Sequence, residues 1–477
     1  MEGIMIAAAG SVGMWPFVVL ALSVCAIVLL ITVARLHAFV ALILAAILVG
    51  ILAAELPGVP EKSHWVQAVE LTTAGFGVTA GKIALVIALA SIIGMCLMES
   101  GAADKVVRRF LAVFGEKRAG AAIMLSGYVL SIPIFFDTFF MLLLPLAQAM
   151  AYRTGRDYLL YVMAICCGSI VTHSLLIPHP GPLAMAEALK IDAGLTIVVG
   201  LVAGLVPVLI TWQVVKWLSR RVSIPLRESG TTRLADLKAI VDKPESELPS
   251  FVASILPVIV PIFLISLASS VAAMKGFKAS APGWYGVIEF VGNRNVALLI
   301  GTFMAAWVVM RQRGITLAAL GRLLAPPLET AGVIILITSA GGAFGMMLSH
   351  AGVGEAVQAA AAGREVNLIL LAWLVAAVIR VAQGSATVAM LTTSAMIYPL
   401  LGAGLPYDAG YIFMAIGFGA MTLSWMNDSG FWGVCKLSGF TEQETLKTWT
   451  VLATTNSLVG LLTCLAMAKV LPRIPGF

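Results

Sequence analysis

Long apolar runs, interrupted by short basic or Gly/Pro-rich segments, make up most of the chain. A membrane-spanning helix takes about 20 mostly apolar residues. The segments that meet this measure are 17–34, 37–54, 76–98, 159–189, 194–215, 251–273, 295–310, 328–349, 408–431 and 448–470. Two more apolar stretches, 119–151 and 367–403, are too long for one span. No basic stretch precedes 17–34 and no evident cleavage site follows it, so it reads as a retained first helix rather than a signal peptide.

Lys and Arg orient these spans, because cytoplasmic loops carry the excess of both. They cluster at Arg35, at 105–118, at Arg153 and Arg156, at 220–233, at 311–322 and at Lys436 and Lys447. Basic clusters flank 119–151 on both sides, so both of its ends belong to the cytoplasm. The simplest path is a hairpin that enters the membrane and returns, with Pro133 and Pro145 accounting for its breaks. The stretch 367–403 should form a similar hairpin opening outward. Such turns survive at membrane depth only when buried in protein or lining a cavity.

An internal repeat fits this map. Residues 94–101, GMCLMESG, resemble 345–352, GMMLSHAG, and Asp104 and Val106 then match Glu355 and Val357. The first copy ends inside and the second outside, so the repeat is inverted, a pattern typical of transporters with interrupted helices at the midplane. The expected fold is an all-α polytopic membrane protein with about ten spanning helices, two re-entrant hairpins and two interrupted helices. Residues 1–216 form the first repeat, 217–250 a cytoplasmic linker, and 251–477 the second repeat.

Composition supports the membrane reading. Apolar residues make up 60% and charged residues 11%, against roughly 25% charged in a soluble domain; mean hydropathy is +1.01. So few charges cannot cover a water-facing surface. The net charge of +6 comes from the loop clusters and implies no nucleic-acid partner. Cys25, Cys96, Cys166, Cys167, Cys435 and Cys464 lie in or beside apolar segments with no CxxC pair, so they read as packing residues. No cofactor or metal is expected. No paired catalytic constellation marks an enzyme, and no soluble output domain marks a sensor.

Four polar interruptions carry the candidate chemistry. In the first, Pro178, Pro180 and Pro182 surround His179 and Gly181 just after Thr172 and His173. No unbroken helix holds three prolines so close, since each removes an N–H and clashes with the preceding turn. The helix must stop near His173 and restart near Pro182, and its new N-terminus can hold an anion. The plainer alternative is a kink with a core histidine; as metal ligands the two histidines lack a completing set. In the second, Asn427, Asp428, Ser429 and Gly430 favour unwinding because their side chains compete for backbone hydrogen bonds. An intramembrane Asp points to a site, against the alternative of a helix end at a loop.

The third is Asp137 between Phe135-Phe136 and Phe139-Phe140, a desolvated carboxylate suited to reversible protonation or, alternatively, to capping a half-helix. The fourth holds Arg380, Gln383, Gly384, Ser385 and Thr387. The planar fork of an intramembrane Arg suits a carboxylate, either a substrate's or an acidic side chain's. Lys82, Glu187 and His350 near helix ends read as snorkelling, and Gly341-Gly342 as a close helix contact.

At these motifs the chain resembles the gluconate:proton symporter family of bacterial gluconate permeases. The residues that carry the resemblance are His173 with 178–182 PHPGP, 380–389 RVAQGSATVA, 427–432 NDSGFW and 446–451 LKTWTV, with 132–137 IPIFFD matching more loosely. Asp137 stands where the family favours Glu, and Ile177 where it favours a second Pro. The resemblance implies a multi-pass inner-membrane protein that imports gluconate or a related sugar acid with protons. It further implies the ion-transporter superfamily fold, a dimeric scaffold and a moving transport unit.

The expected mechanism follows. Half-helix N-termini and Arg380 neutralise the substrate carboxylate, while Thr172, Ser385, Thr387 and Asn427 offer hydrogen bonds to hydroxyls. His173, His179, Gly181, Gln383, Gly384, Asp428 and Ser429 complete the candidate site. Asp137, His179 or Asp428 carries the proton. Sodium is the alternative coupling ion, because the Asn-Asp-Ser-Gly and Gln-Gly-Ser turns could supply oxygen ligands.

Overall fold

The computed structural model describes residues 14–57, 62–115, 118–154, 157–227, 244–274, 278, 281–353, 356, 367–401, 405–426 and 428–474. Among them every regular element is a helix. Seven helices are long and apolar enough to cross a membrane: His64–Glu99, Tyr158–Leu189, Ala193–Arg221, Phe251–Ala272, Arg294–Arg313, Ala325–His350 and Glu442–Val470. The other expected spans are shorter apolar helices, Trp15–Thr32, Ala38–Leu52 and Ala409–Gly419. The last is short because its span is interrupted.

The two long apolar stretches each divide in two. The first hairpin consists of Ala119–Leu130 and Phe136–Thr154, with the non-helical turn 131–135 centred on Pro133. The second consists of Leu368–Gln383 and Ala386–Ile397, packed on each other through a turn of only Gly384 and Ser385. Gly384 has φ +77°, a left-handed conformation that a side chain resists. Ser385 caps the following helix by accepting from the Val388 N–H at 3.3 Å.

The first interrupted helix breaks at its polar run, whereas the second stops earlier, at Gly419, and restarts at its polar run. Tyr158–Leu175 stops, and Pro180–Leu189 starts with proline in its first turn, where a missing N–H costs nothing. Ala409–Gly419 stops, and Ser429–Leu437 starts behind Asp428, whose side chain accepts from the Gly430 N–H at 3.1 Å. Each half thus runs long helix, hairpin, broken helix, long helix in the same order.

The long helices His64–Glu99 and Ala325–His350 pack against each other, Ala38–Leu52 lies on the second, and Arg294–Arg313 on the first. Of the seven long helices the first broken helix is the deepest: 89% of its apolar window is buried inside the protein. Both helices of the first hairpin lie against it. Its approach to Ala119–Leu130 requires Gly168, because a Cβ there would sit 2.1 Å from the Met124 carbonyl oxygen.

Ion pairs gather at helix ends. Arg108 meets Asp104 at 3.1 Å, Arg313 pairs with Glu99 and Lys105 with Glu245. Arg227 grips Glu444 with both fork nitrogens at 2.7 and 2.8 Å. Lys82 and Glu187 do not simply snorkel as expected: Glu187 joins Lys82 at 3.3 Å and also Arg294, tying three helices together. Helix Ala193–Arg221 runs past residue 217, where the linker was expected to begin. Arg220 and Arg221 suit the negative end of that helix, and Arg221 lies over the Trp217 ring at 4.9 Å.

Candidate substrate site

Each hairpin turn is fastened to the break in the helix that follows it. In the first half, the Thr172 hydroxyl donates to the Ser169 carbonyl at 2.7 Å, so the Ser131 hydroxyl is the donor in its 2.5 Å contact with Thr172. His179 Nε2 donates to the Ser131 carbonyl at 2.8 Å. In the second half, Arg380 donates through Nη1 to the Gly384 carbonyl and through Nη2 to Asp428 Oδ2. The Ser424 hydroxyl donates to the same Asp428 oxygen, and Trp449 Nε1 donates to Ser424 Oγ at 2.7 Å. Thr450 closes the group by donating to the Ser424 carbonyl at 2.5 Å. Trp449 and Thr450 belong to a π-helical turn, Leu446–Thr450, a local widening often found at functional sites.

Between the two networks lies a cavity of about 410 Å³. Its wall includes Phe135 and Phe136, His173 and Ser174, Pro180, Arg380, residues 384–387, Ser424, residues 428–430 and Trp449. The helix beginnings at Phe136, Pro180, Ala386 and Ser429 all reach this wall. Helix N-termini present unpaired N–H groups and a partial positive charge. The Arg380 guanidinium shares that wall with them. Among the described residues no group of His, Cys, Asp and Glu is arranged to hold a metal ion.

The sequence candidates divide into three groups. His173, Arg380, Gly384, Ser385, Thr387, Asp428 and Ser429 share the cavity wall. Thr172, His179 and Gly181 stand behind it. Thr172 and His179 are committed to Ser131 and Ser169, and the Gly181 backbone is so close to Met390 that a Cβ would lie 2.5 Å from its sulfur. Asn427 and the side chains of Asp137 and Gln383 lie outside the described residues, although Asp137 belongs to the first turn of Phe136–Thr154.

Of the two roles left open for Arg380, the structure shows the pairing with an acidic side chain. It is 4% exposed and paired with an acidic side chain, yet it still faces the cavity. Its Nε is buried without a partner, as is His173 Nδ1. The His173 and His179 rings lie edge to face, 5.1 Å apart.

Ser131, Ser424 and Trp449 carry the networks but are not among the sequence candidates. Ser424 is just four residues before Asp428, and Trp449 falls within the 446–451 run. Neither position shows its partner from sequence alone. Packing of the Trp449 ring on Phe136, with centroids 5.1 Å apart, brings the start of the last long helix to the first hairpin.

The chain is 34% identical to a gluconate permease of Pseudomonas aeruginosa, over 93% of this chain and 96% of that protein. It is 31% identical to the Gnt-II system L-idonate transporter of Escherichia coli, over 96% of this chain and all of that protein. Among solved structures it matches MtrF of Neisseria gonorrhoeae with a TM-score of 0.64 at 17% identity, covering 93% of this chain and 97% of that one. That last likeness is one of fold. A family model described as GntP family permease matches residues 15–470. Nearly the whole chain, including both hairpins and both breaks, lies within that match, and the chain belongs to the GntP family of permeases: it is a membrane transporter and not an enzyme.

Proposed function

We propose that this permease imports a small hydroxylated monocarboxylate, of the gluconate and idonate kind, across the cell inner membrane in symport with protons. The observation that carries the reading is the convergence of four helix N-termini and one buried Arg on a single cavity. That field selects an anion. Ser385, Thr387 and Ser429 on the same wall suit a polyhydroxylated chain. The names of the relatives, gluconate permease and L-idonate transporter, point to the same chemistry. Asp137, His179 and Asp428 are the candidate proton carriers.

The halves 1–216 and 251–477 act as inverted repeats joined by 217–250. The hairpins and broken helices move as one transport unit against the long helices, in an elevator motion within a homodimer. The test is uptake of labelled gluconate and L-idonate into proteoliposomes under an imposed pH gradient, with and without sodium. Accumulation that follows the pH gradient and ignores sodium is the expected result. Accumulation that requires sodium overturns the coupling, and uptake of neither acid overturns the substrate class.

A further inference from the structure

We infer that Asp428 couples the proton to the substrate because it and the substrate carboxylate must share a single guanidinium, that of Arg380. The inference rests on the anion-import reading above and adds the group and the reason for coupling. Arg380 spends Nη1 on the Gly384 carbonyl and Nη2 on Asp428 Oδ2. Its Nε is buried without a partner, so a carboxylate entering the cavity approaches the guanidinium on the side already given to Asp428, which lines the same cavity.

The charge balance then sets the stoichiometry. Before binding, the site holds Arg380⁺ and Asp428⁻. A monoanion arriving at Arg380 places two carboxylates on one cation, and one must be neutralised. The helix N-termini soften this repulsion without replacing a counter-ion, since each is a partial charge. Asp428 takes one proton from the water that admits the substrate, and its O–H bond breaks again when the substrate leaves on the other side. One monoanion and one proton cross together, and the site carries the same charge throughout.

Other titratable groups are poorly placed for this exchange. Among the described residues, the charged and titratable groups on the wall are Arg380, Asp428 and His173. His179 stands behind His173 with Nε2 committed to Ser131. Lys436, Glu442, Glu444 and Lys447 lie on segments next to the 424–430 turn but not on the wall. Asp137 begins the helix whose Phe136 faces the site, and its side chain is outside the described residues.

Isothermal titration of the purified full-length protein with gluconate, in two buffers of different ionisation heat, counts protons taken up per substrate bound. The parent protein should take up about one proton, and its affinity should fall about tenfold per pH unit over the range in which that uptake occurs. Asp428→Asn should still bind gluconate, with a proton count near zero and affinity flat with pH. Asp428→Glu and His173→Gln should keep a count near one. The parent count needs no variant: gluconate binding with no proton uptake leaves the import reading standing and overturns the coupling. A count near one in Asp428→Asn, or its loss in His173→Gln alone, also overturns the assignment. Failure of the parent to bind either gluconate or L-idonate removes the substrate reading and this inference together.

Discussion

Arg380 and Asp428 decide the behaviour of the site because each leaves the other stranded if removed. Breaking one side of a buried ion pair costs about 3–5 kcal/mol, since the remaining charge has no counter-ion. Arg380→Ala should therefore lower thermal stability sharply, and adding Asp428→Asn to it should recover more than half of the loss. Thermal unfolding of the three purified variants checks this; an additive double variant would show that the pair is not coupled. Arg380→Lys keeps the charge but cannot serve Gly384, Asp428 and a third acceptor with one planar fork. A lost charge-assisted hydrogen bond is worth about 1.5–3 kcal/mol, so gluconate affinity should fall by about tenfold or more. Equal affinity in a binding titration would make the fork irrelevant to the substrate.

At the scale of elements, the hairpins and broken helices depend on close backbone approach and on ties between turns. Gly168 sets the approach of the first broken helix to Ala119–Leu130. Gly168→Ala forces the helices apart and should cost about 1–3 kcal/mol, the usual range for overpacking. An unchanged melting temperature would mean that the backbone shifts freely there. Outside the membrane, the hydrogen bond from Lys105, with its charge as a second contribution, holds the Glu245 carboxyl below its ordinary range. A carboxyl lowered on folding stabilises the folded arrangement above its unfolded pKa, about 4.3. That contribution fades as pH falls through the lowered folded value. A spin label at position 246 should be restrained at neutral pH and freed on strong acidification, with Glu245→Gln free throughout. Restraint in Glu245→Gln equal to that of the parent would show that the ion pair does not hold the linker.

For the whole molecule, topology is the decisive quantity, because the proposed inverted repeat and the proposed elevator motion both depend on it. In a background lacking the native cysteines, Lys117→Cys and Thr154→Cys should both be labelled from the cytoplasm by an impermeant thiol reagent. Asn367→Cys and Gly404→Cys should both be labelled from outside. Labelling of either pair from opposite faces would make that stretch a true crossing and remove the inversion.

The apolar spans, the two over-long stretches, the first helix break and the restart of the second broken helix were legible in the sequence. Their causes are local: partition into lipid is set by each residue's own polarity, and Pro178, Pro180 and Pro182 forbid an unbroken helix through that run whatever surrounds it, so the second half-helix starts at Pro180. Arg380, Asp428 and His173 stood out for the same reason, as polar groups in apolar runs. Only the tertiary structure decided who meets whom. Arg380 and Asp428 are separated by 48 positions and Ser131 and Thr172 by 41, and no periodicity links residues so far apart. The retreat of Thr172 and His179 behind the wall, and the arrival of Ser424 and Trp449 in the network, follow from which turns the packed helices bring together. Side-chain polarity announces that a polar group must be satisfied inside the membrane; the packing of distant segments chooses the partner that satisfies it.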